Sequence, residues 1–140
     1  MTTDLGRFLE AQETMYETAL SEIKSGKKQS HWMWYIFPQI AGLGFSETAQ
    51  FYAIQNLKEA TEYLDHAVLG NRLREISAEV LRLEGRDANE IFGFPDDLKL
   101  HSSMTLFAFA DQSEDNVFQE VLKKYFDRKM DEQTVLIVGE

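Results

Sequence analysis

The sequence predicts an all-α protein: a compact single-domain multi-helix bundle with short connections. Three observations carry that prediction. Apolar residues recur at three- and four-residue spacing through most of the chain. Hydroxyl, Asp or Asn residues stand just ahead of several of these runs, where they can cap a first turn. No repeat, low-complexity tract or long linker interrupts the 140 residues, which include only 2 prolines. Short helices with polar junctions pack against one another around a shared core. One helical domain over residues 1–140 follows, large enough to bury roughly 70% of the surface its unfolded chain exposes.

The first helix runs through LGRFLEAQETMYETALSEIKSG. Leu5, Phe8, Leu9, Gln12, Tyr16, Ala19, Leu20 and Ile23 form its stripe. Asp4 is the expected N-cap and Gly26 the stop, with Lys24, Lys27 and Lys28 suiting the negative end of the dipole. Ser30 is expected to cap a following turn, which Pro38 ends near Phe37. AGLG at 41–44 reads as a loop. Ser46 is placed to cap a helix through ETAQFYAI, and Asn56 another through LKEATEYLDHAV. A long helix follows around RLREISAEVLRLEG, stopped at Gly85. DANE at 87–90 has capping-box spacing and opens a short turn closed by Gly93. Another helix covers most of 95–110, and SEDNVFQEVLKKYF holds the last substantial one. DEQTVLIV fits either a final helical turn or a short strand.

Composition narrows the classes of function. The net charge is -10, from 14 basic and 24 acidic side chains. The acid is uneven: residues 1–44 are close to neutral at -1, whereas 86–140 carry -6. Such a surface repels phosphate backbones and anionic membranes, so neither nucleic acid nor membrane is an expected partner. A small anion remains admissible, because a local pocket can oppose the global sign. With 0 cysteines there is no disulfide, thiol nucleophile or Cys-based zinc site. No apolar run approaches the roughly 20 residues of a membrane span, and the polar N-terminus does not read as a signal peptide, so a cytoplasmic location is expected.

Two stretches exceed what helix packing requires: GKKQSHWMWYIFPQIAGLG and IFGFPDDLKLHSSMTLF. With RFLEAQ and YLDHAVLGNRL, they make nearly the whole chain resemble a small bacterial family, the domain of unknown function numbered 1810, which is sometimes mislabelled calpastatin-like. The resemblance implies a small, mostly helical protein and no particular activity. Nothing in the sequence suggests an inhibitor of a calcium-dependent protease. Over a shorter span, LGNRL, IFG and LKLHSSMTLF are similar to the NADAR family, which is linked to ADP-ribose and nucleotide N-glycosidic chemistry. That likeness points toward a nucleotide-like ligand. The NADAR glycine–asparagine pattern is missing, so no catalytic residue carries across.

In SHWMWYIFPQ, a helix over 31–37 would put Trp32, Tyr35 and Ile36 on one face, with Trp34 and Phe37 on another. The economical reading is a core segment whose polar ends edge a pocket; the alternative has a tryptophan lining a ligand site. Gln39, Ser30 or loop carbonyls are the expected acceptors for the indole N–H groups. His31 is the candidate acid or base near neutral pH, against a plain capping role. No metal is expected, since His31, His66 and His101 lack ligand spacing.

In the second stretch, Pro95 suits the first helical position, with Asp96 and Asp97 in a favourable first turn. Lys99, Ser102, Ser103, Leu106, Phe107 and Ala110 then form one stripe. Its polar half could hold a phosphate or carboxylate. A helix beginning near Ser102 would instead make the serines caps beside free backbone N–H groups. In the plainer alternative the serines permit close packing and bond back to the preceding turn, and Lys99 snorkels. Lys99 and Ser102 reverse the order of a Ser–Lys pair and lack an oxyanion device. AGLG is no phosphate loop.

Two functions are therefore weighed. The first is a site for a small phosphorylated or nucleotide-like ligand in a pocket formed by segments 30–39 and 95–107. Trp32 or Trp34 would stack on it, Lys99, Ser102 and Ser103 would hold its anion, and Ser30 and Gln39 would edge it. His31 would serve N-glycosidic or hydrolytic chemistry, with no cofactor. This requires the two segments to meet. The second is a non-enzymatic module presenting an acidic surface or aromatic patch to a protein partner.

Overall fold

The computed structural model describes residues 5–139, which form helices α1 (Gly6–Lys24), α2 (Met33–Ile36), α3 (Glu47–Phe51), α4 (Leu57–Asp65), α5 (Leu69–Arg82), α6 (Ala88–Phe92), α7 (Asp96–Ala110), α8 (Val117–Tyr125) and α9 (Glu132–Val138). The fold is all-α. Among the described residues the one β-type pairing is an isolated parallel bridge between Ile40 and Ile54.

Capping chemistry sets most of the boundaries. Ser46, Asn56, Asn116 and Asp131 each accept a hydrogen bond from a backbone N–H in the first turn of α3, α4, α8 and α9. Asp87 and Glu90 close a reciprocal capping box on α6, and Gly93 ends that helix at φ 77°. The 131–138 segment, open between helix and strand by sequence, is thus a capped helix. At α1 the expected cap, Asp4, lies outside the described residues. The Ser30 cap is not formed: α2 starts at Met33, and the Ser30 hydroxyl donates to Glu22 instead. Pro95 is the residue ahead of α7 rather than its first member.

Packing converges on α7, which meets α4, α6, α8 and α9, while α1 packs on α2 and α5. From Leu100 to Ala108 every α7 residue except His101 is buried. A helix apolar on all sides is a core helix. Around it run edge-to-face and tilted rings: Phe8 on Tyr63 at 5.1 Å, Tyr63 on Phe107 at 5.3 Å and Phe107 on Phe118 at 5.9 Å.

Buried polar groups fasten the periphery to this core. Arg7 of α1 reaches the carbonyls of Phe51 and Ala53 at 2.8 and 2.9 Å, and both carboxylate oxygens of Glu59 at 3.2 and 3.3 Å. Glu59, only 1% exposed, also accepts from the Gln55 N–H at 2.8 Å. This forked ion pair pins the 51–55 segment against α1 and α4. No helix is long and apolar enough to cross a membrane among the described residues.

Candidate functional site

The aromatic stretch at 30–39 splits into two environments. Trp32 is fully enclosed, with ring contacts to Phe37 at 6.2 Å and Phe92 at 6.5 Å. Its indole N–H donates to Glu22 at 2.8 Å, not to the acceptors expected from sequence. The same carboxylate takes the backbone N–H groups of Gln29 and Ser30 at 2.8 and 2.9 Å and the Ser30 hydroxyl at 2.5 Å. Burial pushes the Glu22 carboxyl up, but these bonds to its charged form outweigh it and bring the pKa down to about 2. Trp32 therefore offers no face for stacking, and Ser30 has its hydroxyl committed. His31 projects exposed from this knot and lines neither of the clefts described below.

Trp34 is different. It is half-buried and forms one wall of a cleft of about 360 Å³. The other walls come from the 39–42 and 44–45 loop, α3 and the 52–55 segment. The Ile40–Ile54 bridge fixes them: Ile54 N–H donates to Gln39 O and Ala41 N–H to Ile54 O, each at 2.8 Å. Gly44 lies so close to α3 that an added Cβ would stand 2.6 Å from that of Ala49, so the loop closes this tightly only with glycine there. Tyr52 is held by Phe51 at 4.8 Å, Tyr35 at 5.2 Å and Phe8 at 6.0 Å.

Among the described residues no carboxylate, histidine, lysine or arginine lines the cleft. Gln50 and Gln55 have their amides bonded to Phe45 O and Ala53 O. Among the described residues the Gln39 carboxamide, the Trp34 indole N–H and the Tyr52 hydroxyl have no hydrogen-bond partner. Phe45 stands at its rim 85% exposed, with Phe51 58% exposed on the adjoining α3 surface.

The two segments singled out by sequence do meet, but not as one pocket. Lys99 places its ammonium 4.9 Å from the Trp34 ring centre, on a face of the indole, and 3.5 Å from Asp96. Asp96 in turn pairs with Lys28 at 2.8 Å. The Lys99 charge is engaged on both sides. Ser102 bonds back to Leu98 O at 3.1 Å and reaches Asp131 at 3.4 Å, which is the packing role. Ser103 is wholly buried inside the core with its hydroxyl unbonded. Neither serine faces the cleft, so the anion cradle expected from Lys99, Ser102 and Ser103 is not assembled there. A helix starting at Ser102 is likewise excluded, because α7 begins at Asp96.

Of the residues singled out by sequence, Trp34 and Gln39 line this cleft, whereas Tyr52 and the rest of its 41–55 wall were not singled out. Its available signal was the aromatic pair Phe51–Tyr52 within a stretch read only as a helix.

The fold and cleft define a small all-α protein with a neutral, aromatic-walled surface site. The chain belongs to the family described as Protein of unknown function (DUF1810), whose model matches residues 2–138. It is similar to a conserved hypothetical protein, Rv1873 from Mycobacterium tuberculosis, whose crystal structure superposes with a TM-score of 0.95. The two are 46% identical over 98% of this chain and 97% of that one. No curated protein matches the chain.

Proposed function

We propose that the Trp34 cleft binds a small, planar, uncharged ring system of the nucleobase class. One observation carries this reading: a fixed aromatic wall, Trp34 with Tyr52, stands beside three hydrogen-bonding groups that have no protein partner among the described residues. A carboxamide such as that of Gln39 can both donate to and accept from the edge of a heterocycle. Stacking on an indole then supplies most of the contact area. The volume of about 360 Å³ falls within the range typical of small-molecule sites. Its described lining is aromatic and carboxamide, which supports binding rather than N-glycosidic hydrolysis.

Thermal-shift titration with adenine, guanine, nicotinamide and their nucleosides tests this. A binder present at 100 times its dissociation constant adds about 2.7 kcal/mol, which raises the melting temperature by several degrees. The shift should vanish in Trp34→Ala and Gln39→Ala and persist in His31→Ala. Stabilisation that survives both cleft substitutions would refute the assignment.

The exposed Phe45 and Phe51 favour a second reading, in which this face receives a protein partner. No response to any of these ring systems would move the assignment there.

A further inference from the structure

We infer a second site, for the phosphoryl group of a small molecule, in the cleft between the end of α1 and helix α6. This cleft has a volume of about 470 Å³ and is lined by Lys27, Lys28, Arg86, Asn89, Glu90 and neighbouring backbone. Three cations face one carboxylate in a chain whose net charge is -10. The cleft thus opposes the sign of the molecule that carries it.

Its walls are held in place. The Lys28 N–H donates to Ile91 O at 2.7 Å, which fastens the end of α1 to α6 and fixes the two walls. Lys28 itself has its charge answered by Asp96 at 2.8 Å and forms part of the wall. Glu90 is committed too, accepting the Asp87 N–H at 2.9 Å. Lys27 and Arg86 remain, and among the described residues neither side chain has a carboxylate or carbonyl partner.

The Arg86 side chain is exposed and passes close over Gly26. Gly26 has φ 91°, and a Cβ there would come within 3.1 Å of the Arg86 Nε. The guanidinium lies against the glycine backbone, close enough that a β-carbon there would press on it. Lysines alone at this place would be explained by the negative end of the α1 dipole. That account does not require an arginine from the α5–α6 connection packed on Gly26 with its N–H donors unengaged. A planar fork of donors beside an ammonium is the arrangement that takes a phosphoryl oxyanion. The floor supplied by Ile91 and Phe92 leaves room for the body of the molecule.

The test is an NMR titration of amide resonances with inorganic pyrophosphate and ribose 5-phosphate. Saturable shifts confined to residues 26–28 and 86–93 are expected. Arg86→Gln and Lys27→Gln should each weaken binding about tenfold or more, and Arg86→Lys should recover only part of the loss. Lys58→Gln, which removes an exposed charge on α4, should leave it unchanged. Non-saturating shifts, or equal weakening by Lys58→Gln, would overturn the proposal. None of these residues lines the Trp34 cleft, so either site can fail without the other.

Discussion

Trp32 and Trp34 are separated by one residue yet belong to two different regions of the molecule. Around Trp32 one carboxylate, Glu22, collects the indole, a hydroxyl and two backbone N–H groups. Around Trp34 the polar tips are left open and the aromatic rings reach the surface. The same aromatic density builds core on one side and a candidate site on the other. What separates them is the partner each side chain finds from a distant part of the chain, and that partner also decides what a substitution does.

The largest effect should fall on the closed side. Trp32→Ala removes an enclosed ring and leaves Glu22 short of a donor, for a loss of about 4 kcal/mol in urea unfolding. Trp34→Ala should cost about 1 kcal/mol. Equal losses would erase the distinction between the regions. Next comes the anchor beneath the open side. Glu59→Ala removes the carboxylate that answers the largely buried Arg7 charge, leaving it the carbonyls of Phe51 and Ala53, and should cost about 3 kcal/mol. It should also abolish any ligand response in the Trp34 cleft, because the 51–55 wall hangs on that pair. A variant that is destabilised but still binds would detach the wall from its anchor.

A pH series sharpens the contrast further. Because the Glu22 pKa is lowered from 4.5 to about 2, its contribution is complete above pH 4.5 and is lost as the pH falls through 2. After allowance for solvent screening this amounts to on the order of 2 kcal/mol. Glu22→Gln should therefore destabilise the protein at pH 6, with the gap to wild type closing near pH 2. A gap that stays constant across that range would show that shape, not charge, holds the 29–32 segment.

The fold was legible because its determinants are local. Caps at Ser46, Asn56 and Asp87 and the stop at Gly26 are each written within a few residues of the helix end they set. The same reading placed α7 over 95–110 but expected a polar stripe along it. Ser102 and Ser103 are instead enclosed, because α4, α8 and α9 surround that helix, and no spacing rule within one helix reports how many neighbours it will have. Half of the candidate site was legible for a related reason. Trp34 and Gln39 stand out by residue type, whereas Tyr52 becomes a wall only through the Ile40–Ile54 bridge. Helical spacing alone puts an anion cradle on Lys99, Ser102 and Ser103. The structure instead answers that charge with Asp96 and leaves Arg86 open, a residue that sequence gave no reason to single out.

The smallest effect is the one that discriminates most finely. Phe45 is 85% exposed at the rim of the cleft, so folding removes little of its surface from water. Phe45→Ser should change the stability of the monomer by no more than about 0.5 kcal/mol. Measured at low and at high protein concentration, the two values should agree if the rim is open to solvent. A destabilisation that appears only at high concentration would mean that a second copy covers Phe45 and that part of its surface is buried by association. In that event the cleft would be a contact between copies of this chain, and the nucleobase assignment would give way to the protein-partner reading.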